Sequence, residues 1–479
     1  MRQYLPLIAL LITFSLQAQT QKTDYEPLAT KPPVKAALLA KLEKRYESDL
    51  AKLPKENRSE LEGIYEERYD YLTEQIESGM FLYGPEFNDY YQAVLDEIFR
   101  ANPTLPAKEI RLFISRDPSP NALCLGEGSL MLNIGLIRRL ENESQIAFVL
   151  CHELAHFTLN HVNAAINRHV ENLNSKNTQQ EIRAISRTEY GRTEKAMQLL
   201  KGMVFSSRRH SRLHESEADS LALTYLRNTA YDAREALRCL ALLDEVDVEK
   251  YPQTPDLKQV FDTPEYPFKD SWLQSESTLF GGVKKKEEVP DKDSLKTHPD
   301  CQNRINLLEN QGFAEGKQKF IQPESRFQAL VEIADFEMIQ SLLDGGDYGA
   351  CLYQALLLLN KYPDNAYLHA TLGHCLYEIH QAQKEHTLGN HVEQPSGETP
   401  APYRVVLTFV QNLRTREISN LCWHYLNRQK ERFGENEGFL FALCRAASLS
   451  GKEDETKSLK KRYLELFPRG KNATEVRTL

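Results

Sequence analysis

Hydrophobic positions recur at helical spacing over most of this chain and give way to alternation in one short region. Residues 34–53, VKAALLAKLEKRYESDLAKL, predict a charged helix that continues through Tyr- and Glu-rich sequence to Ser78. A second region opens near Tyr83 with a helix containing YYQAVLDEIF. The alternation of Ile110, Leu112 and Ile114 in EIRLFIS predicts a half-buried strand. NALCLGEGSLMLNIGLI predicts two more strands around a turn made by Gly126 and Gly128, and SLMLNIG reads as an edge strand over a cleft. Long helices are predicted from there to about Leu243. Prolines, Gly281, Gly282 and a KKKEE run mark 264–296 as an irregular loop or flap. From Arg326 onward the period is helical, with one polar break between His386 and Pro402.

In that last part KYPDN, RFGEN and LFPRG occupy similar places between helices. Gly434 to Pro468 is 34 residues, one tetratricopeptide period, and Pro363 to Gly434 is 71, two periods plus three. The region resembles a degenerate tetratricopeptide array, best in LLLLNKYPDNAYLHATLGHCLYEI. The alternative is an unclassified helical bundle that completes the fold.

A chain of 479 residues exceeds one hydrophobic core, so at least two domains are expected. The net charge of -9 leaves no basic surplus for phosphates and excludes nucleic acid as a partner. Residues 1–18, MRQYLPLIALLITFSLQA, read as a cleaved secretory signal. Pro6 interrupts the apolar run, which falls short of the roughly 20 residues of a spanning helix. No later segment is apolar enough to span, so an exported, periplasmic or secreted protein is expected. The eight cysteines are scattered singly; Cys151, Cys239, Cys351, Cys375 and Cys444 read as buried free thiols, with one or two disulfides as the alternative.

The chemistry concentrates in VLCHELAHFTLNH, residues 149–161. His152 and His156, four apart on a helix, project from one face and can share one Zn²⁺, with Glu153 beside it as general base toward a water. Asn142 offers the N-cap of that helix, three positions before Gln145. A third ligand is needed, and HESEADSLAL offers Glu215, with Asp219 four residues on to orient a ligand histidine. His161 reads as a helix or supporting residue, because the spacing that would make it a ligand is absent.

These segments resemble the M48 zinc metallopeptidases. The shared residues are NAL at 121–123, GSLMLNIGL at 128–136, HELAH at 152–156, ESEAD at 215–219 and THP at 297–299 followed by Arg304. The resemblance implies an α+β fold, a mostly helical gluzincin-type peptidase domain with a small β-sheet, followed here by an all-α tetratricopeptide-like domain. The implied organisation is a signal peptide at 1–18, an N-terminal helical segment at 19–78, a peptidase domain at 79–312 and a helical domain at 325–479. It also implies one zinc ion per chain on His152, His156 and Glu215, Glu215 being the third ligand rather than Glu217.

The pairing with helical repeats is similar to the periplasmic branch of that family, which acts in outer-membrane protein quality control. The implied substrate is unfolded polypeptide, with a protein partner docked on the repeats. Expected donors to the developing oxyanion are His210, His214, Tyr231 and Arg304. His298 either swings in as a gating fourth ligand or merely starts the helix that contains Arg304. The rival function is a chaperone-like binding scaffold with a silent or gated protease site.

Overall fold

Pro54 has no amide hydrogen with which to continue a helix, and the N-terminal helical pattern breaks there. Instead of one helix to Ser78, α1 (Pro32–Ala51) and α2 (Arg58–Ser78) form a hairpin, turned through Asn57 at a φ of 52°. Leu42 of α1 meets Leu72 and Ile76 of α2, while Leu53 meets Leu61, so the two helices run antiparallel.

The structure, a computed structural model, describes residues 23–174, 180, 212–244, 251–274, 301–313, 316–397 and 399–479. The signal sequence at 1–18, His210 and the Thr297-His298-Pro299 motif lie outside the described residues. The chain forms two compact units. One comprises the described residues within Leu28–Asp247 and Lys285–Ala334; the other comprises those within Met1–Pro27, Val248–Lys284 and Asp335–Leu479. No helix among the described residues is long and apolar enough to cross a membrane.

The first unit is α+β. After α2 come β1 (Phe81–Leu82), α3 (Pro85–Ala101), β2 (Arg111–Ser115), β3 (Ala122–Cys124) and β4 (Ser129–Asn133). The strand order is β1-β2-β4-β3, with β2 and β4 parallel and the other two pairs antiparallel. This corrects the reading of SLMLNIG as an edge: β4 is paired on both sides and buried throughout, and among the described residues β1 and β3 stand at the ends of the sheet. The reason is the tight β3–β4 turn, which folds NAL back onto β4. Gly128 enables that turn at a φ of +97°, where a Cβ would stand 2.3 Å from the Glu109 carbonyl oxygen. Phe81 and Phe113 of the sheet share one cluster with Leu42, Leu72 and Ile76, so the N-terminal hairpin covers part of the sheet.

Behind the sheet runs α4 (Glu143–Thr158), buried from Glu143 through His156. A helix apolar on nearly every side belongs in a core, and its N-terminal amides then need partners other than water. Asn142 Oδ1 accepts from Gln145 N at 3.1 Å, and Ser144 N donates to the Lys319 carbonyl at 3.0 Å. The Glu143 carboxylate accepts from Tyr231 Oη at 2.7 Å and from the amides of Ile321 and Gln322 at 3.1 and 3.0 Å. Among the described residues this part also holds α5 (His161–Asn174), α6 (212–228), α7 (Glu235–Asp244) and α8 (Cys301–Glu309), besides a single turn at Ile134–Ile137.

The chain passes from one unit to the other within α9 (Glu324–Asp344). The second unit is all-helical among its described residues: α10 (Tyr348–Lys361), α11 (Ala366–Lys384), α12 (Ala401–Asn412), α13 (Thr415–Arg428), α14 (Glu437–Leu449), α15 (Glu453–Leu466) and α16 (Ala473–Thr478). Asn365 of KYPDN and Asn436 of RFGEN each cap the helix that follows, accepting from Leu368 N and Phe439 N. The 71 residues from Pro363 to Gly434 hold α11, a 3₁₀ turn at Leu388–Asn390, α12, α13 and a one-turn helix at Lys430–Phe433. After the polar break, α12 packs on α10 and on the 3₁₀ turn Asp270–Leu273.

Residues 264–274 are likewise no loose flap. Trp272 is buried, its Nε1 donates to Glu417 at 3.1 Å, and Phe268 stacks on Phe409. Aromatic side chains anchor what the prolines suggested would be irregular; 275–300 lie outside the described residues. All eight cysteines are buried free thiols.

Asn142 also donates through Nδ2 to Glu235 Oε2 at 2.8 Å, so it serves both the start of α4 and α7. Asn142→Ala should lower the unfolding free energy by about 1–2 kcal/mol, read from denaturant midpoints at unchanged m-value. A loss under roughly 0.5 kcal/mol would show that the cap contributes little to holding α4.

Candidate metal centre

His152 and His156 stand on one face of α4, and α6 brings Glu215 to them. The two Nε2 atoms lie 3.0 Å apart. Glu215 Oε2 is 3.5 Å from His152 Nε2, and Oε1 is 3.4 Å from His156 Nε2. One ligand atom from each of the three residues lies within 4.8 Å of the others, and all three residues are buried. Two imidazole nitrogens and a carboxylate converging in a buried place form a donor set suited to a zinc-type ion, and three protein ligands leave room for a reacting group.

Arg304, buried on α8, makes this arrangement affordable. Its Nε and Nη2 donate to Asp219 Oδ2 and Oδ1 at 2.6 and 2.8 Å, and its Nη1 stands 3.2 Å from Glu215 Oε2. Asp219 Oδ1 in turn lies 2.9 Å from His152 Nδ1. Burial alone would raise the Asp219 pKa, but the hydrogen bonds and charge of Arg304, then those of His152, bring it down to about 2. His152 shows the converse: burial opposes its charge, and Asp219 with Glu215 overcome that to raise its pKa to about 10. Asp219 thus orients His152 through Nδ1 and leaves Nε2 facing His156 and Glu215.

Glu153 is buried one position along α4, and its charge is felt on β3. Burial first, then Glu153, pushes the Cys124 thiol up to about 12.

A second group adjoins the first. Asn160, at a φ of 57°, ends α4 and turns the chain so that His161 opens α5. His161 Nδ1 lies 3.0 Å from His156 Nδ1, and its Nε2 lies 3.2 Å from Glu217 Oε2. His214 stacks on it at 4.1 Å with an interplanar angle of 9°. Burial, then the neighbouring His214 and His156, hold the His161 pKa well below the ordinary histidine value. His161, His214 and Glu217 also bring ligand atoms within 4.8 Å of one another.

The expected oxyanion donors part company here. Tyr231 is not brought to the centre: its hydroxyl is held by Glu143, at the opposite end of α4 from His156. Arg304 is buried beneath the carboxylates and committed to both of them. His214 stands beside His161, with Arg168 Nη2 3.4 Å from its Nε2. His210 and His298 lie outside the described residues.

Glu217, set aside by the sequence reading, stands on His161, and Glu143, unnoticed there, organises the start of α4. The legible signal for the first was the five-residue step from His156 to His161 across an Asn, a helix stop that lets one histidine fold back on another.

Residues 85–311 match the model of peptidase family M48. The matched segment, just under half of the chain, holds His152, Glu153, His156, Glu215 and Arg304, and it supports an M48 family peptidase with a metallopeptidase activity. No curated protein matches the chain.

Within this matched segment the buried pair makes a sharp prediction. Arg304→Met strands Asp219 and Glu215 and should destabilise the protein by roughly 3–5 kcal/mol, with Arg304→Met/Asp219→Asn recovering part of the loss. The depressed carboxyl sets the pH dependence. Its stabilisation is complete above the ordinary value of 3.8 and is lost as pH falls toward 2, so Arg304→Met should unfold at a higher pH on acid titration than the wild type. Coincident acid-unfolding curves would remove Arg304 from this role.

Proposed function

We propose that the chain is an exported, zinc-dependent endopeptidase acting on unfolded or misassembled polypeptides, in protein quality control at the cell envelope. The observation that carries the peptidase reading is the convergence of His152, His156 and Glu215 on one buried point, with Glu153 on the same helix as the two histidines. The match to M48 supports the class of reaction. The leader-like pattern of residues 1–18 supports export, and the helical unit, with Asn365 and Asn436 each capping the helix that follows KYPDN and RFGEN, supports a tetratricopeptide-like surface that docks a protein partner.

His152, His156 and Glu215 would hold the ion. Zinc bound there supplies Lewis acidity toward a peptide carbonyl and a water. Glu153 takes a proton from the attacking water on its carboxylate and delivers it to the leaving nitrogen, a shuttle that needs one base and no second acid. Asp219 and Arg304 keep His152 in one tautomer and hold Glu215 in place, so the donors are set before substrate arrives. An extended substrate segment would lie beside the sheet near the histidine helix and pair backbone to backbone. Backbone pairing selects little by side chain and requires an unfolded stretch, which fits a scavenging protease better than a site-specific one.

The deciding experiment is hydrolysis of an unfolded protein by the mature chain, with and without chelator, beside Glu153→Gln. We expect chelation to abolish cleavage and zinc to restore it. Glu153→Gln should keep its zinc and lose about 10²–10⁴-fold in turnover. Undiminished hydrolysis by Glu153→Gln would reject Glu153 as the base, and no hydrolysis by a zinc-loaded wild type would reject the peptidase reading.

A further inference from the structure

We infer that His161 and Glu217 form a positioning relay for His156, and that the His161, His214 and Glu217 group supports the metal centre rather than binding a second ion. The inference rests on the reading of His152, His156 and Glu215 as a zinc site.

His156 turns Nε2 toward His152 and Glu215, so as a neutral ligand it carries its proton on Nδ1. That proton points at His161 Nδ1, 3.0 Å away, which must then accept. A neutral His161 accepting at Nδ1 carries its own proton on Nε2, and Glu217 Oε2 stands 3.2 Å from it to accept. Every donor meets an acceptor, from the ligand face of His156 to a carboxylate at the surface. No other assignment of neutral rings satisfies both hydrogen bonds while leaving His156 Nε2 open.

The competing use of the group conflicts with this pattern. An ion taken by His161 Nε2 would drive that ring's proton to Nδ1, facing the Nδ1 proton of His156 across 3.0 Å. Two donors would oppose each other, so filling the second group penalises the first. The ring geometry agrees: His161 and His214 lie parallel within 9°, which aims their in-plane lone pairs side by side rather than at a common point.

The two ligand histidines are therefore supported differently. His152 leans directly on Asp219, which is buried and locked by Arg304. His156 leans on a neutral imidazole that passes the demand for a negative charge outward to Glu217, whose side chain is 61 % exposed. His161 reaches this position only because Asn160 takes the left-handed turn.

The test measures zinc affinity by chelator competition, and zinc stoichiometry, in wild type, His161→Leu, His161→Asn and Glu217→Gln, with circular dichroism as the folding control. His161→Leu should bind zinc roughly 10–100-fold more weakly. His161→Asn, whose side-chain oxygen falls near the place of Nδ1, should recover most of that loss, a rescue that mere packing would not give. Glu217→Gln, exposed and safe for folding, should cost roughly twofold to fivefold because solvent screens its charge.

The relay is overturned by wild-type affinity in folded His161→Leu or in Glu217→Gln, or by equal losses in His161→Leu and His161→Asn. Two zinc ions per wild-type chain, falling to one in His161→Leu, would also overturn it and make the group a metal site. If wild type binds no zinc, the metal reading fails at its root, an outcome distinct from unaltered affinity in the variants.

Discussion

The Arg304–Asp219 ion pair is the interaction on which the rest of the centre depends. Two carboxylates and two imidazoles stand together in a buried place, and the desolvation cost of an uncompensated charge there is several kcal/mol. One guanidinium answers both acids: it closes a two-point contact on Asp219 and reaches Glu215 with its remaining nitrogen. Lysine, with a single ammonium, could not span both carboxylates in this way. The ion pair thus fixes two oxygen atoms, and through Asp219 it fixes the ring of His152.

The same economy governs the other end of α4. A helix buried from its first turn has amides that water cannot reach, and this one meets them with the Asn142 side chain at Gln145 N and the Lys319 carbonyl at Ser144 N. Glu143 holds Tyr231 and the amides of Ile321 and Gln322 together, so a segment more than 170 residues away in sequence is tied to the start of the histidine helix. The placement of His152 and His156 is therefore set from both ends, by hydrogen bonds at the N-terminus and by the ion pair near the C-terminus.

Much of this was legible in the sequence because its signals are local. The four-residue steps from His152 to His156 and from Glu215 to Asp219 are helix geometry written as spacing, and the Gly126 and Gly128 turn is backbone sterics written as composition. What escaped the reading was long-range. Nothing local distinguishes β4 from β3 as the sheet edge, since a strand's neighbours are chosen by pairing elsewhere in the chain. Tyr231 looked available until Glu143 claimed its hydroxyl, and 264–274, irregular as expected, is anchored by a Trp272 whose burial proline counts do not reveal. The 71-residue interval holds α11, a polar break, α12, α13 and the short helix Lys430–Phe433, an arrangement that period counting does not spell out.

The asymmetry between the two histidines follows from where each stands on α4. His152 lies deeper toward the helix middle, where only a buried acid can reach Nδ1, and a buried acid demands a buried cation. His156 lies one turn nearer the end, where α4 stops at Asn160 and the next residue can fold back. A second imidazole there spans the distance to the surface and lets the negative charge stay in water, so no further arginine is needed beneath it. Placing the second support outside the core removes the burial cost of a third carboxylate, and it leaves His156 held by a chain that solvent and neighbouring side chains can reach. Burial on the side of Asp219 and exposure on the side of Glu217 thus set the two ligand histidines in different electrostatic surroundings.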